Sequence, residues 1–193
     1  NGYTKIPGDG GWYYESQFQS GMPDLNLDCT ALRTEIEKIA KFWYDKGIRG
    51  YRLDAALHYY EGNNEKSTEA LKWFYDYAES LDSSNYVVAE VWSDASALDK
   101  FYESGVDSLF NFPYGTSEGY IVLTCNRAGN GSGGGKFANF VVNRYVEVKA
   151  IDSNYIDAVF LGNHDTGRPA GFLKYNENAV KFGAALQFFT PGK

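Results

Sequence analysis

Three acids stand at the ends of apolar runs. Asp54 follows Gly50-Tyr51-Arg52-Leu53, Glu90 follows Val87-Val88-Ala89, and Asp165 follows Phe160-Leu161-Gly162-Asn163-His164. A carboxylate at the end of a buried run is costly unless it has a partner or a task. Carboxyl groups held in different protonation states can serve as nucleophile and as general acid. Arg52 and Asp54 are two residues apart, so in an extended run both side chains leave one face. A guanidinium there keeps the carboxylate ionised at neutral pH. Glu90 sits in a nearly unbroken apolar run, where desolvation favours the neutral acid. The plain alternative for any one of these acids is an ordinary ion pair at a strand end.

Positioning such groups requires strands that end together. The three runs are separated by helix-like stretches, which predicts parallel strands whose C-terminal ends gather the acids in one cleft, as in an α/β barrel. Residues 1–28, rich in Gly and Tyr, read as loops. Leu32, Ile36, Ile39, Ala40 and Trp43 fall at helical spacing between Thr30 and Lys46, with Thr30 or Asp28 as cap, Gly47 as stop and Glu37 with Lys41 as a wet-face pair. Residues 48–55 read as a strand, 65–81 as a helix, 86–92 as a strand buried on both faces, 96–104 as a short helix, 107–112 as a strand and 158–162 as another. A last helix covers 176–189. Residues 113–136 contain Gly129-Asn130-Gly131-Ser132-Gly133-Gly134-Gly135, which reads as a flexible loop. Gly129-x-Gly131-x-x-Gly134 formally matches a dinucleotide fingerprint, but it needs a strand-to-helix turn and an acid closing the next strand, and Asp152 closes none.

The chain has 193 residues and a net charge of −7, with 22% charged and 44% hydrophobic residues. That is enough for a real core but short of the about 250 residues of a complete α/β barrel. The acidic balance, without a Lys/Arg stripe, argues against nucleic acid. No apolar run approaches a membrane span. The start Asn1-Gly2-Tyr3 has no signal-peptide pattern, and without a leading Met we expect part of a longer chain. Cys29 and Cys125, without a pattern, read as free thiols. The 17% of aromatic residues read mainly as core, some of them suited to stacking on sugar faces.

Gly50-Tyr51-Arg52-Leu53-Asp54-Ala55-Ala56-Leu57-His58, Ala89-Glu90-Val91-Trp92 and Gly162-Asn163-His164-Asp165 resemble three ordered regions of the α-amylase family, glycoside hydrolase family 13. Met22-Pro23-Asp24-Leu25-Asn26 is similar to a fourth, at the exit of the excursion called domain B. The resemblance covers essentially the whole chain. It implies a partial (β/α)8 barrel: residues 1–28 as the end of domain B, and 29–193 as strands 4 to 7 with their helices, strands 1–3 and 8 being absent. Such a piece, with open edges and bare apolar faces, is expected to be unstable or inactive alone.

The implied activity is retaining hydrolysis of α-glucosidic, mainly α-1,4, bonds of starch-type glucans through a covalent glucosyl-enzyme. Asp54 would be nucleophile, Glu90 acid and base, and Asp165 the third acid, favouring the distorted transition state. Arg52, His164, His58 and Trp92 would bind substrate. Asp24 and the carbonyl of His58 match a structural Ca²⁺ site, Asp24 alternatively capping a turn. Leu57 stands where many members carry Lys. No organic cofactor is implied, the partner is an α-glucan, and a polymeric substrate would favour secretion. The alternatives are transglycosylation, α-1,6 activity, or a non-catalytic sugar-binding homologue.

Overall fold

The computed structural model describes residues 3–8, 10–128 and 133–192. Its centre is a parallel sheet of β3 (Gly50–Leu53), β4 (Tyr86–Ala89) and β5 (Ser108–Leu109), in that order. Gly50 pairs with Tyr86, Leu53 with Ala89, and Ala89 with Leu109. A parallel bridge from Phe110 to Ala158 adds the start of a fourth position. The described strands form an open parallel sheet, as the partial barrel expected from the sequence would.

The covering helices follow from pattern and caps. In α1 (Thr30–Asp45) and α2 (Asn64–Leu81) the apolar stripe packs on the sheet, with Ala40, Leu71, Phe74 and Ala78 buried. The Asn63 side chain accepts from the amide of Lys66 at 3.1 Å and starts α2; Asp94 starts α3 (Ala95–Tyr102) through the amide of Ala97 at 3.0 Å. A second core gathers Tyr114, Ile121, Phe137, Leu161 and Leu173, beside α4 (Tyr120–Arg127), α5 (Gly133–Ile151) and α7 (Glu177–Phe189), with the single turn α6 (Pro169–Phe172) between them. No helix among the described residues is long and apolar enough to cross a membrane.

Several expectations need correction. Residues 3–15, read as loop, hold an antiparallel pair, β1 (Tyr3–Lys5) and β2 (Tyr13–Glu15). Residues 120–127, for which the sequence predicts no element, form α4, and Gly133–Gly135, read as part of a flexible loop, open α5. A Cβ at Gly133 would lie 3.0 Å from the carbonyl of Thr124, so close helix packing outweighs glycine's poor helix propensity there. The rest of the glycine tract, 129–132, lies outside the described residues. What precedes it is a helix, not a strand, which removes the dinucleotide geometry.

The 158–162 run pairs only through Ala158, because Asn111 spends its amide on the Ala158 carbonyl and Pro113, two residues on, has none to donate. At the start of α1 neither Thr30 nor Asp28 caps; the N-cap is Cys29, and the Asp28 carboxylate is taken by the Tyr60 hydroxyl and the Lys66 ammonium. Lys41 pairs with Asp45 rather than Glu37, whose carboxylate accepts from the Trp73 indole at 2.8 Å. Both cysteines are free.

On α1, Ile39, Phe42 and Trp43 stand about half exposed, as do Phe188 and Phe189 of α7 more fully. These apolar groups flank both sides of the open sheet. The expected stripe of α1 is thus buried only at Ala40, with Leu32 and Ile36 half-buried.

Candidate active site

The period of two decides what β3 presents. Tyr51 turns toward the helices, its hydroxyl donating to the Ala40 carbonyl at 2.8 Å and its ring meeting Phe74 edge-on. Arg52 and Asp54 therefore emerge on the opposite face. Just beyond, the amide of Glu90 donates to the Leu53 carbonyl at 2.9 Å, and the Glu90 carbonyl accepts from Ala56 at 2.8 Å. This main-chain clamp fixes the two strand ends side by side. Ala55, between them, takes a left-handed conformation with φ 45°, a strained choice for a residue with a Cβ.

Arg52 forks between two carboxyl groups. Its Nη1 donates to Asp54 Oδ1 at 2.7 Å and its Nη2 to Glu90 Oε2 at 2.5 Å. Beneath it, the Phe110 ring lies 5.9 Å from the guanidinium carbon. The two acids differ in setting: Glu90 is buried, 9% exposed at its side chain, and Asp54 is open, at 76%.

Their protonation tendencies diverge accordingly. The hydrogen bond from Arg52 holds Asp54 below the usual carboxylate range, against a smaller desolvation penalty. Desolvation pushes Glu90 up, and the neighbouring Asp54 carboxyl adds to it, while Arg52 pulls the other way. Burial works against the charge of Arg52, but its carboxylate partners raise it and keep it a cation. Tyr59, half-buried, has its hydroxyl pushed far up by desolvation and by the Asp54 charge, and stays neutral.

Asp165 lies on the turn after the fourth run. Its amide donates to Asn163 Oδ1 at 3.0 Å and its Oδ2 meets His164 Nε2 at 3.0 Å. Its charge is felt at Arg52. Asp165 bonds to neither Asp54 nor Glu90. A cavity of about 370 Å³ is lined by Arg52, Asp54, His58, Asp24, Phe18 and Leu25 among others, without Glu90, His164 or Asp165.

Trp92, half exposed, stacks on Phe112 at 4.6 Å and 18°. It lines a second, open cavity of about 580 Å³ with Phe112, Glu118, Tyr120 and Phe140. There Tyr120 and Phe140 form another parallel stack, 3.8 Å between centroids. Asp24 makes no turn cap of its own; its Oδ2 accepts from the amide of Gln17 at 2.8 Å. The His58 carbonyl accepts from Gln17 Nε2 at 2.8 Å.

Sequence reasoning missed Gln17, Phe110 and Phe112. The two phenylalanines carry a signal, since they alternate within the 107–112 run. Gln17 carries none, being one polar residue in a Gly- and Tyr-rich stretch.

A model of the α-amylase catalytic domain matches residues 7–193. The chain is 38% identical to alpha-amylase 3 of Dictyoglomus thermophilum over 93% of its own length and 34% of that relative. It is 25% identical to a 4-alpha-glucanotransferase of Thermotoga maritima, over 96% of the chain and 38% of that enzyme. The solved structure of Eubacterium rectale Amy13B superposes with a TM-score of 0.91 at 40% identity, covering 100% of this chain and 38% of that one. The chain spans little more than a third of the length of these relatives. On sequence and fold together, it belongs to the α-amylase catalytic-domain family of glycoside hydrolases.

Proposed function

We propose that, within a complete barrel, this chain supplies the reacting groups of a retaining α-glucan hydrolase acting mainly on α-1,4 bonds. The observation that carries this reading is the fork of Arg52 between two unlike carboxyl groups. Retention needs a nucleophile and a proton donor about 5 Å apart, closer than the inverting arrangement allows. Two carboxyls bonded to one guanidinium, each acting directly on the other, suit the shorter spacing.

Asp54, anionic and open, attacks the anomeric carbon with the oxygen that Arg52 leaves free. The bond to the leaving oxygen breaks as Glu90 gives that oxygen its proton. Water then attacks the same carbon, Glu90 takes its proton back, and Asp54 leaves as the carboxylate. Asp165, with His164 beside it, is assigned to the ring hydroxyls of the same sugar and to the positive charge of the transition state. Arg52 keeps Asp54 ionised, and His58 forms part of the wall beside it. The Trp92 platform suits the leaving-group side, because aromatic faces stack on sugar rings. The exposed apolar groups of α1 and α7 are proposed to be covered by the remaining barrel, with activity absent from residues 1–193 alone.

Transfer to a sugar instead of water has one observation in its favour. Two aromatic stacks, Trp92 on Phe112 and Tyr120 on Phe140, line a cavity roomy enough for an acceptor chain. Proton NMR of maltopentaose digestion by the complete-barrel protein tests both. Hydrolysis with retention releases the α-anomer first. Products longer than the substrate mark transfer, and initial release of the β-anomer refutes the retaining assignment.

A further inference from the structure

The family resemblance implies a calcium ion held by Asp24 and the His58 carbonyl, and the donor set here does not fit one. Calcium takes six to eight oxygens, which turn their lone pairs toward it. Here the oxygens turn toward one residue. Gln17 donates its backbone amide to Asp24 Oδ2 at 2.8 Å. Its side-chain Nε2 donates to the His58 carbonyl at 2.8 Å and to Glu15 Oε1 at 3.1 Å. Gln17 Oε1 meets His58 Nδ1 at 3.3 Å, and Phe18 packs edge-on against the same imidazole, 5.0 Å between centroids. Among the described residues no three His, Cys, Asp or Glu side chains are placed to hold a metal.

We infer that Gln17 stands in place of the cation, its backbone N–H holding Asp24 and its side-chain amide holding the His58 carbonyl. It fastens residues 13–24 to the turn after β3, and so fixes the wall of the Asp54 cavity without metal. The chemistry is a direct substitution. A cation gathers oxygens by charge, whereas Gln17 gathers them by donating, its backbone N–H to Asp24 and its N–H₂ group to the His58 carbonyl and Glu15. Phe18, Asp24, Leu25 and His58 line the cavity beside Asp54, so Gln17 is a positioning residue for that wall. The inference concerns how the wall is held and stands apart from the reaction assigned to the site.

Gln17→Met keeps the length of the side chain and removes both donors. Gln17→Glu turns the side-chain donor into an acceptor facing Glu15 and the His58 carbonyl, with the Asp24 carboxylate still on the backbone amide of the same residue. That arrangement repels itself unless a cation bridges it. Thermal unfolding in EDTA and in millimolar calcium, with kinetics on maltooligosaccharides, reads both variants in the complete-barrel protein. The unsubstituted protein should gain nothing from calcium. Gln17→Met should lose about 3 °C in Tm and raise KM several-fold with a smaller change in kcat, with or without calcium. Gln17→Glu should unfold earlier in EDTA and recover in calcium, with a calcium-binding heat that the unsubstituted protein lacks. The inference fails if calcium raises the Tm of the unsubstituted protein as much as that of Gln17→Glu. It fails equally if calcium does not rescue Gln17→Glu, or if Gln17→Met matches the unsubstituted protein in Tm and KM.

Discussion

Asp54→Asn should cost the complete-barrel protein on the order of 10⁴-fold or more in kcat while leaving the Kd for maltooligosaccharides within a few-fold. The reason lies in what the substitution keeps. Asparagine has the same shape, and its Oδ1 still accepts from Arg52 Nη1, so the cavity wall and the fork survive. What disappears is the anion proposed to attack the anomeric carbon. A second loss follows at Glu90, since part of its upward shift comes from the Asp54 carboxyl. Without that neighbour Glu90 binds its proton less tightly. Single-turnover kinetics and calorimetric titration with a maltooligosaccharide separate the two quantities. Unchanged turnover in this variant would remove Asp54 from the chemistry.

Glu90→Gln should lower kcat by about 10² to 10⁴-fold for natural glucans, and by far less for an aryl glycoside whose leaving group needs no proton. Its pH profile gives the sharper reading. The proposed mechanism needs Asp54 ionised and Glu90 protonated. Asp54 is held down, so the acid limb of kcat/KM falls below the ordinary carboxylate range; Glu90 is held up, so the alkaline limb lies above the ordinary glutamate value. Raising pH through the Glu90 value strips the proton the leaving oxygen must receive, and activity declines. In Glu90→Gln that limb should vanish while the acid limb remains. An alkaline limb persisting unchanged would assign it to another group.

The pair that matters most was legible in the sequence because period two is a rigid rule of extended chain. Arg52 and Asp54 had to share a face once residues 50–53 paired as a strand. The burial of Glu90 was legible for a similar reason, being set by the apolar residues before it. The direct bond from Arg52 to Glu90 was not, because it depends on the register between β3 and β4 rather than on either run alone. Tertiary partners likewise decided the start of α1, where Asp28 was drawn to Tyr60 and Lys66. Helix α4 was hidden by the glycine-rich stretch that follows it; Tyr120-Ile121-Val122-Leu123 has an apolar face, yet it is only eight residues long. Gln17 had no local pattern at all. Apart from Glu15, its partners lie seven and forty-one positions away, and only the folded chain brings them together.

The most direct test is to trap the covalent intermediate. The complete-barrel protein is treated with a fluorinated glucosyl fluoride, whose departing fluoride needs no proton and whose electron-poor sugar slows the second step. It is then digested and its peptides are weighed. The sugar should be found on Asp54, in the peptide carrying Tyr51-Arg52-Leu53-Asp54, and Asp54→Asn should remain unlabelled. A label on Glu90 or Asp165, or active enzyme that turns over glucans yet never takes the label, would contradict Asp54 as the nucleophile.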